Sequence, residues 1–486
     1  MRGIAERGAV LGLGLLAATV SLGAADDLRL VQAARHQNRA AVRALLTQRV
    51  DTAIAEADGA TALHWAAHWD DLETARLLLQ AGAQVDTANA LGVTPLALAA
   101  TNGSAAMIGE LLKGGANPNT ALANSGETVL MLAARTGHVE AVKTLLARNA
   151  AVNAKGTPRV QTALMWAASE GHGDVVRVLI EGGADVHARS SEGFTPLHFA
   201  ARGGDVATTR LLLDAGATID DPDKAGRTPL LVAVHRGHVP LAEQLLDRGA
   251  DPNINTAGYT VLHWVAGSWE TVVLFDNTAG FKEWNALTGL RGETKISFLK
   301  VLLARGANPN ARTTKPPPKF GYTSTTAANT GKENFGLTGA SPFLLAARAG
   351  DTAAMRILAA AGADPLLPTE DGLTPLMQAA GIGRVAGESR VTERMALDAT
   401  TLALDFGGKV DQRDDYGNTA LIGATWEGFD SVIQFLLERG ANVNIKNGNE
   451  DTPLMIAEGR AHRRTGINGN AGPSTVALLK KSGAVE

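Results

Sequence analysis

The sequence predicts an all-α solenoid of stacked helix-turn-helix units, and three observations predict it. A heptapeptide, Thr94-Pro95-Leu96-Ala97-Leu98-Ala99-Ala100, recurs with small changes at Thr61–Ala67, Thr162–Ala168, Thr195–Ala201, Thr228–Val234, Thr374–Ala380 and Thr452–Ala457. Its leucine returns at Leu63, Leu96, Leu130, Leu164, Leu197 and Leu230, at intervals of 33 or 34 residues. An amphipathic stretch such as Val139–Leu146 follows each copy, and a Gly-Ala pair closes most of them. A fixed period of this length marks an array of supersecondary units that bury their apolar faces against one another.

Each element of the repeat has a physical reason. Thr before Pro supplies a hydroxyl N-cap and then a residue whose missing N–H costs nothing at the first helical position, so a helix begins there. The paired alanines one turn later let a neighbouring helix approach closely. The second helix carries apolar residues at helical spacing on one face. It ends at Gly82, Gly115, Gly183, Gly216, Gly249, Gly306, Gly362 and Gly440, where a left-handed residue is wanted. Asn- and Asp-rich runs, such as Ala116–Asn119, Ala250–Asn253 and Ala441–Asn444, then supply turn chemistry into the next unit.

These residues resemble the ankyrin repeat. Its pattern of Gly-x-Thr-Pro-Leu-His-x-Ala-Ala, a Gly-His turn and a Val-x-x-Leu-Leu-x-x-Gly-Ala ending is matched closely by residues 193–217 and 226–250. The resemblance covers roughly four fifths of the chain, in about eleven recognisable repeats and a divergent N-terminal cap. It implies antiparallel helix pairs with a projecting hairpin loop each, stacked into a curved solenoid with a concave binding face. By the same resemblance His64, His198 and His263 make a structural hydrogen bond within the repeat and to its neighbour, and His138, His172 and His238 belong to the inter-helix turn. A secreted bacterial protein with many repeats and insertions is the type it suggests.

Along the chain, residues 1–25 differ from the rest. Arg2 and Arg7 precede an apolar run from Ala9 to Val20, and small residues around Ala24 or Ala25 offer a cleavage site before Asp26. This reads as a secretory signal peptide, with an uncleaved anchor or a buried first helix as the alternative. The expected location of the mature chain is therefore the periplasm or the outside of the cell. Residues 26–57 carry helical patterning without the Thr-Pro start and form the cap that the open end of an array requires. Residues 58–257 are regular repeats, one to six.

Repeat seven, 258–314, begins normally at Gly258 but its second helix is expected only from Ile296. The intervening stretch holds Trp269, Phe275, Phe281 and Trp284 in a chain poor in aromatics. Residues 315–338 form a second insertion, rich in Pro, Thr, Asn and Gly, expected as an exposed loop until about Gly339. Repeats resume over 339–486, with shorter insertions between Gly381 and about Thr392 and between Gly466 and Pro473.

Composition narrows the chemistry. The chain of 486 residues has a net charge of −4, which argues against nucleic acid or an anionic membrane as the main partner. It has no cysteine, so there is no disulfide, lipid-attachment or thiolate metal site. His64 and His68 have the spacing of a zinc pair, yet a third ligand is missing nearby in sequence. Gly381-Ile382-Gly383-Arg384-Val385-Ala386-Gly387 has a phosphate-loop flavour without the Lys-Ser/Thr that would follow. With no nucleophile elbow, metalloprotease helix or acid pair, neither an enzyme nor a cofactor or metal is expected.

What remains is surface. In ankyrin arrays the two residues after the alanine pair face the concave side, and here they include His68-Trp69, Arg135-Thr136, His235-Arg236, Arg348-Ala349 and Trp426-Glu427. Trp and Arg most often anchor protein interfaces, so Trp69, Arg135, Arg236 and Trp426, with Trp269, Phe281 and Trp284 of the insertion, are the expected partner-binding residues. Trp65, Trp166 and Trp264, just before the alanine pair, read as packing. The expected function is a non-catalytic protein-interaction scaffold outside the cytoplasm, an accessory to an exported enzyme being one setting. The alternative is carbohydrate or cell-wall binding, with Trp269, Trp284, Phe281 and Tyr259 stacking on sugar rings.

Overall fold

The computed structural model describes residues 27–267, 290–315, 337–382, 391–461 and 471–485. These residues form antiparallel helix pairs in two compact units, one up to Thr218 and one from Ile219. The first unit holds α1 (Arg29–Arg35) and α2 (Arg39–Thr47), α3 (Ala62–His68) and α4 (Leu72–Gln80), α5 (Pro95–Asn102) and α6 (Ala105–Lys113), α7 (Val129–Thr136) and α8 (Val139–Leu146), α9 (Ala163–Ser169) and α10 (Gly173–Glu181), and α11 (Pro196–Gly203) and α12 (Val206–Asp214). The second holds α13 (Pro229–His235) and α14 (Val239–Asp247), α15 (Val261–Ala266) and α16 (Gly292–Ala304), α17 (Pro342–Arg348) and α18 (Thr352–Ala360), α19 (Pro375–Ala380) and α20 (Glu393–Asp405), α21 (Ala420–Glu427) and α22 (Asp430–Glu438), and α23 (Pro453–Ala457) and α24 (Pro473–Lys481).

The helix starts follow from the sequence. Thr94 accepts a hydrogen bond from the Ala97 N–H at 3.2 Å, and Thr61, Thr128, Thr162, Thr228 and Thr374 cap their helices in the same way. Within each unit the first helices stack side by side. Ala66, Ala67, Ala99, Ala100, Ala133 and Ala134 are buried in that stack, where larger residues would hold the helices apart. Leu63, Leu96, Leu130 and Leu164 lie in the core beside them, each stabilising by about 1.5–3 kcal/mol before entropy is subtracted.

The glycines after the second helices have φ between 83° and 97°. The Gly82 N–H returns to Leu79 O at 3.0 Å and the Ala83 N–H to Leu78 O at 3.0 Å, which satisfies two carbonyls of the last turn. The turns beyond them do more than redirect the chain. Asn310 accepts from the Asp364 N–H at 2.7 Å and donates to Gly362 O at 2.8 Å, so it clasps the helix end of the following repeat. Asn153, Asn253 and Asn444 make the same pair of bonds to their neighbours. At the hairpins, Ala90 N–H to Asp58 O, Ser191 N–H to Arg159 O and Gly448 N–H to Tyr416 O tie successive loops together at 2.7–2.9 Å.

Two boundaries differ from the sequence reading. Helix α16 begins at Gly292, one turn before the expected Ile296, because residues 292–295 continue the helix outward. The loop expected to run to Gly339 has ended by Leu337, which packs on Ala340, Leu344 and Leu345 while the Gly339 N–H reaches Thr313 O.

Candidate functional site

The ends of the first helices carry the candidate side chains. Trp69, at the C-terminus of α3, is 44% exposed and its indole N–H donates to Arg35 O at 3.0 Å in the preceding repeat. His68 meets it edge-on, with ring centres 4.6 Å apart. Arg135 is half-buried and donates to Glu127 at 3.2 Å. Its guanidinium lies 5.3 Å from the centre of the Trp166 ring in the next repeat.

The same arrangement occurs earlier in that unit. Arg35 lies 5.0 Å from the Trp65 ring centre and pairs with Glu56 at 3.1 Å, and the Trp65 indole N–H donates to that carboxylate at 3.1 Å. Each guanidinium is thus held between an indole face and a carboxylate, which fixes long side chains in one geometry and gives each stack about 0.5–1 kcal/mol at an exposed site. Sequence reading placed Trp65 and Trp166 with packing. Only Trp264 fits that role fully, at 1% exposure, whereas Trp65 and Trp166 are half-buried beneath an arginine. The signal was present as an Arg about one repeat upstream of each Trp, Arg35 before Trp65 and Arg135 before Trp166.

The other expected residues are placed differently. Arg236 is half-buried at the C-terminal cap of α13. Trp426 is half-buried and packs against Met377 and Ile382 on one side and Ile422, Ile445 and Ile456 on the other, so part of its ring serves the core. Trp269, Phe281 and Trp284 lie outside the described residues, as do the expected signal peptide and most of 315–338. Tyr259 is 3% exposed, and a sugar ring has no access to it. It stacks beside Trp264, and its hydroxyl lies 3.3 Å from His235 Nε2. Burial pushes that imidazole down to about 3 and the Tyr259 phenol upward.

Polar groups in the second unit escaped the sequence reading. Gln378, fully buried on α19, accepts from Arg348 at 2.9 Å. Burial lowers the Arg348 guanidinium to about 10, against the attraction of Glu427, and it stays cationic at neutral pH. No local pattern separates this glutamine from the alanines and apolar residues that fill the same place in other repeats.

The histidines of the Thr-x-x-His caps are structural. His263 Nδ1 accepts from the Thr260 N–H at 3.1 Å, which leaves Nε2 protonated and donating to Ala311 O and Ala340 O at 3.0 and 3.1 Å. Burial pushes its pKa down to about 4. His64 is engaged likewise, with Nδ1 on Thr61 and Nε2 on Val93 O, so neither nitrogen is open to a metal. Among the described residues no group of three metal-ligating side chains comes together, and no helix is long and apolar enough to cross a membrane.

The family comparison agrees with this reading. The family model described as ankyrin repeats (3 copies) matches residues 30–121, 85–156, 106–190, 164–256 and 343–447, well over half the chain. Among solved structures, the crystal structure of the human ASB11 ankyrin repeat domain is 31% identical, over 46% of this chain and 98% of that one, with a TM-score of 0.42. No curated protein matches. The glycine-closed helix pairs, the Thr-His capping hydrogen bonds and the family match together place this chain in the ankyrin-repeat family.

Proposed function

We propose that the chain is a non-catalytic scaffold that binds a protein partner through the exposed ends of its first helices. Ankyrin repeats are in general protein–protein interaction scaffolds. The observation that carries the reading is the pair of Arg-Glu-Trp clusters, Arg35 with Glu56 and Trp65, and Arg135 with Glu127 and Trp166. Arg and Trp are the residue types that dominate interface energetics, and here each Arg is already held by an ion pair and a ring contact before any partner arrives, which would lower the entropy lost on association.

The leader-like segment at residues 1–25 supports an export route, and an exported partner such as an enzyme that the scaffold stabilises fits that route. Pull-down after mild crosslinking, comparing the wild type with Arg35→Ala/Trp65→Ala/Arg135→Ala/Trp166→Ala, tests the binding. A partner retained by the wild type and lost by the variant supports it; a partner held equally by both overturns it. Processing is tested separately, by the N-terminal sequence of the protein recovered from its native cells: a start near Asp26 supports export, and a start at Met1 overturns it.

A further inference from the structure

Inserted residues separate the two helices of repeat seven, between Gly267 and Leu290, and of repeat nine, between Ile382 and Val391. Where that turn reads Gly-His, as in repeats three and four, neighbours interlock there. A Cβ at Gly103 would stand 1.9 Å from His138 Cγ, and one at Gly137 would stand 2.8 Å from the His172 ring. His172 Nε2 also reaches Arg135 O at 3.0 Å. An insertion at the turn removes this lock.

Repeats seven and nine compensate in the same way, whereas the last repeat, interrupted between Ala461 and Ala471, keeps a second helix of nine residues. The second helices of repeats seven and nine, α16 and α20, are 13 residues long, against 8 or 9 for the other second helices among the described residues, and the extra turn is N-terminal. Each added turn carries a charged residue that reaches the start of the next second helix. Lys295 occupies the place of the turn histidine relative to the Leu-Leu-x-x-Gly ending, and is 6% exposed. Its ammonium donates to Ala266 O at 3.0 Å, at the end of its own first helix, and to Asp351 Oδ2 at 2.6 Å. Asp351 is the N-cap of α18, and its other oxygen accepts from the Ala354 N–H. On α20, Glu393 Oε1 accepts from the Ser431 N–H at 2.6 Å and from the Ser431 hydroxyl at 2.8 Å, in the first turn of α22, whose own cap residue Phe429 offers no side-chain bond.

We infer that Lys295 and Glu393 are struts that stand in for the Gly-His lock where an insertion interrupts the turn, so that neighbouring second helices stay joined beside it. The cap repeat shows the same geometry, with Arg39 at the start of α2 bound at 3.0 Å to Asp71, the N-cap of α4. A cation serves where the next helix has a capping carboxylate to bind, Asp351 or Asp71, and an anion serves at α22 because it accepts directly from the Ser431 N–H.

A comparison of two backgrounds of the full chain tests this, with denaturant unfolding of the second unit as the readout. One background is native; in the other, residues 267–294 are replaced by Arg-Thr-Gly, the turn of repeat three. Lys295→Met should raise the unfolded fraction at least tenfold at fixed denaturant in the native background, whereas Lys295→His in the spliced one, which rebuilds the Gly-His turn, should raise it by less than half that factor. Lys295→Arg, which keeps the cation, should change it little. An equal loss for Lys295→His in the spliced background, or none for Lys295→Met in the native one, would overturn the inference. Should Lys295→Met fail to fold, Glu393→Gln is the milder probe: a raised unfolded fraction at fixed denaturant supports the strut, and an unchanged one overturns it.

Discussion

The Arg135 guanidinium lies over the Trp166 ring at 5.3 Å, and the two side chains belong to consecutive repeats. A contact of this kind couples the surface that would meet a partner to the stacking that holds the array together. Arg135→Ala and Trp166→Ala should therefore show a coupling of about 0.5–1 kcal/mol in a double-mutant cycle of urea unfolding. Strict additivity would mean that the stack contributes nothing.

Gly103 separates two costs that are usually mixed. Gly82→Ala meets open space at φ +87° and should lose only the left-handed penalty, about 1–2 kcal/mol. Gly103→Ala, at φ +73°, also runs into the His138 ring and should cost more. Adding His138→Ala to Gly103→Ala should recover part of that excess; no recovery in thermal unfolding would refute the interlock.

The two buried imidazoles give the second unit a defined pH response. His235 and His263 are depressed to about 3 and about 4, whereas in the unfolded chain they protonate near 6.5. Between those values the unfolded state binds more protons, so stability is full above about pH 6.5 and falls as the pH drops, by up to about 1.4 kcal/mol per pH unit for each group. Unfolding curves should shift accordingly between pH 7 and 5, and His263→Gln should flatten the slope. A slope unchanged by that substitution would contradict the assignment.

Asn310 offers a test of the clasp between repeats. Asn310→Asp keeps the acceptor for the Asp364 N–H and loses the donor to Gly362 O, whereas Asn310→Ala loses both. The aspartate variant should be destabilised by about 0.5–1.5 kcal/mol and the alanine variant by more. Equal losses in a denaturant titration would show that only one of the two bonds matters.

Much of this was legible in the sequence because a repeat averages its own signals. Thr94 with Pro95, the paired alanines and Gly82 are local devices whose meaning depends on the neighbouring few residues, and each reappears often enough to be read. The same holds for the Thr-His pairs, where the expected bond is present at His64 and His263. What was not legible depends on pairs separated by a whole repeat. Trp166 looks like packing until Arg135 is placed above it, Asn310 looks like a turn residue until Gly362 is beside it, and the extra turn before Ile296 has meaning only through Asp351. Tyr259 belongs to the sugar-stacking set of the carbohydrate alternative, but Trp264 and His235 from adjoining first helices pack on it and leave it buried.

The most direct measurement of the central claim is photocrosslinking in the native cells from a probe at position 101 or 136, between the two Arg-Glu-Trp clusters, with mass spectrometry of the product. The proposed scaffold function predicts a single dominant protein adduct that disappears in the Arg35→Ala/Trp65→Ala/Arg135→Ala/Trp166→Ala variant while its far-ultraviolet spectrum shows it still folded at the temperature of the experiment. An adduct of equal yield in that folded variant, or no protein adduct from either position, would contradict it.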